Sequence, residues 1–131
     1  MNLTINIDID GITKSILALK NEFEEDVYNR YGESPEWDND TFTKEEYEAN
    51  VDEFLNDFNK SVENLSSIID NFPKKKNGTF NRKNIMILAE CKNCVAIHEW
   101  HNIWIYYVVK VTAIDDHTLY VSLYKKVDTP A

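Results

Sequence analysis

Ile103-Trp104-Ile105-Tyr106-Tyr107-Val108-Val109-Lys110-Val111-Thr112-Ala113-Ile114 is the stretch on which the fold turns. β-Branched and aromatic side chains dominate it, and these fit a pleated, half-buried surface better than a helix. Asp115-Asp116-His117 then makes a turn, and Leu119 to Val127 alternates apolar and polar positions. Two such runs joined by a short polar turn predict an antiparallel hairpin. Upstream, Ile85-Met86-Ile87-Leu88 is a short apolar run that supplies another strand. At the N-terminus Leu3, Ile5, Ile7 and Ile9 alternate with Thr4, Asn6 and Asp8, the period-two pattern of a further strand.

Helices lie between the first strand and the rest. Ile12, Ile16, Leu19, Phe23, Val27 and Tyr31 recur at three- and four-residue steps and share one helical face. Asp10-Gly11 ends the first strand, Asp10 caps this helix and Gly32 stops it. Glu33 to Thr41, with Pro35, reads as a loop. Thr43-Lys44-Glu45-Glu46 has the form of a capping box. Tyr47, Val51, Phe54, Phe58, Val62, Leu65, Ile69 and Phe72 then predict one continuous helix of about seven turns, closed by Pro73. Aromatics in that stripe favour a helix lying on a sheet over a coiled-coil seam. The order β-α-α-β-β-β predicts an α+β fold: an antiparallel sheet packed by two helices, the longer one acidic.

The 131 residues make one domain, and a hydrophobic fraction of 43% is too high for a disordered acidic tail. No apolar stretch of about twenty residues is present, and the N-terminus lacks the pattern of a signal peptide. A soluble, intracellular protein is expected. The charge of −9 comes from 14 Lys and Arg against 23 Asp and Glu. It weighs against direct nucleic-acid binding, which needs clustered basic charge. Residues 1–72 hold 18 acids and 5 bases, whereas residues 73–131 hold 5 acids and 9 bases. The single domain 1–131 thus reads as a strand plus two acidic helices (1–72), a basic linker (73–83) and a hairpin or meander (84–131).

One cluster carries recognisable chemistry. Cys91, Cys94, His98 and His101 fall within eleven residues, spaced C-x2-C-x3-H-x2-H. Two cysteines with two residues between them can share a metal in a turn, and the histidines complete a Cys2His2 tetrahedron. The expectation is a structural Zn2+ that stabilises this turn, with His117 or water as alternatives to His101. It requires the following strand to begin near Asn102, because in an uninterrupted strand His98 and His101 point to opposite faces. A redox pair of thiols and an ordinary hairpin are the competing readings. The metalloprotease and zinc-deaminase spacings are not met, and four protein ligands leave no position for water, so no enzyme is expected. A small zinc-dependent enzyme would need three ligands plus water.

The acids form a dense field: Glu24, Glu25, Glu36, Asp38, Asp40, Glu45, Glu46, Glu48, Asp52, Glu53 and Asp57. Such a field repels nucleic acid and attracts a basic protein, speeding association and sharpening specificity. Tyr28, Trp37, Phe42 and Tyr47 lie among the acids as aromatic anchors. A small acidic chain richer in Asn and Ile than in Ala, with an acidic helical first half and no enzymatic motif, resembles the phage-encoded type II-A anti-CRISPR proteins. The Cys91/Cys94/His98/His101 cluster is similar to that of a zinc-containing member. The resemblance implies an inhibitor without turnover that binds a Cas9 nuclease in the bacterial host cytoplasm and blocks guide RNA or target DNA loading. An immunity protein or antitoxin that neutralises a basic nuclease toxin would show the same acidic face.

Overall fold

The computed structural model describes residues 2–37, 42–98 and 101–128, without the side chains of His98 and His101. Its elements are β1 (Thr4–Asn6), α1 (Ile9–Tyr31), α2 (Lys44–Ser61), α3 (Leu65–Asn71), β2 (Ile85–His98), β3 (His101–Ala113) and β4 (Thr118–Asp128). The strands form one sheet ordered β1-β4-β3-β2. The α+β class and the antiparallel β2-β3-β4 meander agree with the sequence reading. The sheet as a whole is mixed, because β1 lies parallel to β4 with Thr4 beside Thr118 and Asn6 beside Tyr120. A parallel pair needs a long connection, and everything between β1 and β4 supplies it.

The cap of α1 is Asp8, not Asp10. Its carboxylate accepts from the Gly11 N–H at 2.9 Å, and a Cβ at Gly11 would collide with that carboxylate. Gly32 closes α1 at φ 74°, a left-handed conformation that costs other L-residues energy, and its N–H returns to the Tyr28 carbonyl. The stripe from Tyr47 to Phe72 is not one helix. The Asn64 side chain accepts from the Ser67 N–H at 3.1 Å and starts α3 afresh. Ser61 Oγ donates toward both the Asp57 carbonyl and the Leu88 carbonyl of β2, at 2.9 and 2.8 Å. Two polar side chains therefore interrupt a helix that apolar periodicity alone extends. Ile68 and Phe72 remain buried, so the stripe survives the break.

All three helices carry their buried residues to one side of the sheet. Leu19, Phe23 and Val27 of α1 and Val51, Phe54 and Phe58 of α2 meet Ile105, Val109, Leu119 and Val121. The lysine run after α3 belongs to this framework. Lys74 Nζ donates to the carbonyls of Ile69, Asp70 and Phe72 at 2.7–3.1 Å, serving oxygens that the helix end leaves open. Phe80 is buried edge-on against Phe72. Among the described residues no helix is long and apolar enough to cross a membrane.

Candidate functional site

The cysteine and histidine cluster lies in a β-hairpin. β2 runs through it to His98, and β3 starts at His101, with His98 and His101 in register. From Cys91 to Cys94 the pairing is regular: Cys91 faces Tyr107, and Cys94 faces Trp104. Residues three apart on a strand point to opposite faces. Cys91 is accordingly buried under α2, while Cys94 lies half-buried on the far side of the sheet. The expected zinc-stabilised turn does not appear, because its sequence is consumed by strand pairing. His117, the alternative ligand, follows the far end of β3, six strand residues or about 20 Å beyond Tyr107, the partner of Cys91. Among the described residues no group of three His, Cys, Asp or Glu side chains is arranged to hold a metal. The two thiols do not fit one tetrahedral zinc in this hairpin. The side chains of His98 and His101 lie outside the described set.

Cys91 instead joins a buried polar cluster. Asn93 Nδ2 donates to its sulfur at 3.2 Å, the thiol approaches the Asn50 carbonyl at 3.7 Å, and Asn50 Nδ2 donates to Asn93 Oδ1 at 2.7 Å. Burial pushes the Cys91 thiol above its ordinary pKa, outweighing the Asn93 hydrogen bond. One turn of α2 away, Tyr47 Oη donates to the Leu19 carbonyl at 3.0 Å and lies 2.7 Å from Tyr107 Oη. Desolvation raises both phenols well above the usual tyrosine range.

The acidic residues separate into two groups. Glu24 pairs with Lys44 at 3.2 Å and accepts the Trp37 indole N–H at 2.7 Å. That hydrogen bond, then Lys44, hold its carboxyl below the usual range. Asp52 is paired with Lys20 at 2.5 Å, and Glu22 and Asp26 share Lys125. The Glu36 N–H bonds the Ala96 carbonyl, fastening the loop to β2. Asp38 and Asp40 lie outside the described residues. Glu25, Glu45, Glu46, Glu48, Glu53 and Asp57 have no cation in ion-pair range among the described residues. Five of them stand on α2, whose buried stripe of Tyr47, Val51, Phe54 and Phe58 turns them outward. Of the expected aromatic anchors, Tyr47 is buried and Trp37 packs between Phe23 and Tyr47. Tyr28, 58% exposed, is left at the surface.

Sequence reasoning missed the opposite face of the sheet. Among the described residues nothing covers it, and five of the eight large exposed apolar side chains stand there: Ile85, Ile87, Trp104, Tyr120 and Tyr124. The registers place Lys92 and Lys126 on either side of Tyr106, and Lys110 beside Ile87 and Ser122. Lys92 Nζ lies 5.5 Å from the Tyr106 ring centre and Lys110 Nζ 5.0 Å from that of Tyr124. The one available signal was Lys110 and Thr112 in phase with Trp104 and Tyr106, which marks these even positions as the solvent side. A groove of about 870 Å³ runs between β1, β4 and α1. Its ionic groups are committed elsewhere: Asp8 caps α1, and Glu22 and Lys125 face one another.

Comparison with protein-family models, with curated proteins and with solved structures finds no match.

Proposed function

We propose that this chain acts without turnover as a protein-binding inhibitor, docking the outer surface of α2 onto a basic protein surface built to hold a nucleic-acid backbone. The observation that carries the reading is the uncompensated row Glu45, Glu46, Glu48, Glu53 and Asp57, left open while nearby lysines neutralise Glu24, Asp26 and Asp52. Lys20, Lys44 and Lys125 serve Asp52, Glu24, Glu22 and Asp26 and leave these five acids of α2 without an ion pair among the described residues. The open carboxylates project from a rigid helix fixed by Tyr47, Val51, Phe54 and Phe58. Pre-organised negative charge of this kind raises encounter rates with a basic groove and competes there with phosphates.

The resemblance to type II-A anti-CRISPR proteins nominates Cas9 as the partner. The zinc centre has no part in the reading. Biolayer interferometry with immobilised chain and purified Cas9, free or loaded with guide RNA, tests it. Binding to free Cas9 should weaken at least tenfold from 100 to 300 mM salt, and the triple reversal E45K/E46K/E53K should abolish it. Binding that ignores both salt and the reversal defeats the acidic-face mechanism, and no binding to Cas9 removes that partner.

A further inference from the structure

The uncovered face of the sheet carries a pattern distinct from the acidic helices. Trp104 and Tyr106 stand two residues apart on β3, so their side chains rise about 7 Å from one another on the same face. Tyr106 lies opposite Lys126, which makes Tyr124 its diagonal neighbour on β4, at about 7–8 Å. Tyr120 continues the path along β4. Four rings thus trace a diagonal across two strands. Lys92, Lys126 and Lys110 flank it, with Lys92 and Lys110 laid against ring faces. The two acids on this face among the described residues are engaged: Glu90 accepts the Tyr106 hydroxyl at 3.2 Å, and Asp128 pairs with Lys126 at 3.2 Å.

We propose that this face is a second binding site, for single-stranded nucleic acid, with bases stacking on Trp104, Tyr106 and Tyr124 and phosphates meeting Lys92, Lys110 and Lys126. Spacings of about 7 Å match successive unstacked nucleotides, and every base offers a ring face to an aromatic platform. A duplex offers no open ring faces to such a platform. The net charge of −9 opposes the contact at the β2 edge, where Glu53, Asp57 and Glu90 line one groove with Lys92. Lys110 on β3 and Lys126 on β4 stand one and two strands further in, away from that acidic flank.

Fluorescence anisotropy of the purified full chain with labelled ten-nucleotide oligo-dT and oligo-rU, at 50–300 mM salt, tests the site. Binding should appear at the lowest salt and fall with a log–log slope of about −1.4 for phosphates at Lys92 and Lys110, steepening toward about −2 where Lys126 exchanges Asp128 for a third. Y106A and Y124A should each weaken it at least about fivefold. K92Q/K110Q/K126Q should flatten the slope, and a duplex of the same length should bind far more weakly. E45Q/E48Q, which changes acids of α2 that share no groove with these lysines, should leave oligonucleotide binding intact, so this site and the acidic-face mechanism fail or stand separately. The substituted side chains are exposed or half-buried, and far-ultraviolet circular dichroism checks that each variant folds. No binding at 50 mM salt, or binding indifferent to the ring and lysine changes, overturns the proposal. So does a stable dimer by light scattering that Y124A dissociates, since the face would then belong to a second copy.

Discussion

The hydroxyl pair of Tyr47 and Tyr107 gives the sharpest test of how the two layers are held together. Tyr47 Oη donates to the Leu19 carbonyl of α1 and receives the Tyr107 proton from β3, so one oxygen ties α1, α2 and the sheet. Both side chains are 1% exposed. Tyr47→Phe removes two hydrogen bonds and leaves the Tyr107 hydroxyl buried without a partner, a cost of about 2–3 kcal/mol. Tyr107→Phe removes one bond and leaves the Tyr47–Leu19 bond in place, which costs about 1 kcal/mol. The double variant leaves no orphaned hydroxyl, so its cost should fall short of the sum by about 1 kcal/mol or more. Urea unfolding followed by tryptophan fluorescence reads this directly, Trp37 lying 5.6 Å from the Tyr47 ring. At a slope of about 1.5–2 kcal/mol/M, Tyr47→Phe lowers the midpoint by roughly 1 M or more while the slope stays constant. Equal costs for the two single changes, or strict additivity, would show that the hydroxyls do not form this chain and refute the reasoning.

Alkali should destabilise the fold for a related reason. Tyr47, Tyr107 and Cys91 have folded pKa values raised above their unfolded ones, so the folded state retains protons that the unfolded chain releases. Stability is then full below about pH 8, falls first through Cys91 and from about pH 10 through the two tyrosines as well, by about 1.4 kcal/mol per pH unit for each group once its unfolded form has ionised. A flat midpoint from pH 8 to 11 contradicts this. Cys94 should react with a thiol reagent in the native state well before Cys91. Mild oxidation should form no intramolecular disulfide, and zinc should be substoichiometric by elemental mass spectrometry. Stoichiometric zinc lost in both C91A and H98A would overturn the placement of the cysteines on opposite faces. Asn64→Ala should cost about 1 kcal/mol by removing the α3 cap, measured as a thermal shift. A continuous helix through residues 62–64 would make that change neutral or stabilising.

Much of the architecture is legible in local pattern. The α1 face from Ile12 to Val27 and the α2 face from Tyr47 to Phe58 are periodic in sequence and buried in the fold. The Thr43 cap also forms, its hydroxyl accepting from the Glu46 N–H at 3.1 Å. Some differences are local, as where Asp8 caps α1 in place of Asp10 and Asn64 starts α3 afresh; others come from competition with distant partners. Ser61 answers to Leu88 in β2, and residues 91–98 yield their turn potential to pairing with β3.

The sequence by itself determined the two long amphipathic helix faces, the strand-rich second half, and that negative charge concentrates in residues 1–72. Periodicity and composition are properties of short stretches, so no contact with the rest of the chain is needed to read them. Only the tertiary structure decided which acids stay open, which face of the sheet stays bare, and that Cys91 and Cys94 turn their backs on one another. These depend on strand register and on which lysine meets which carboxylate. Register joins residues far apart in the chain, and a shift of one position would exchange every side chain between the two faces.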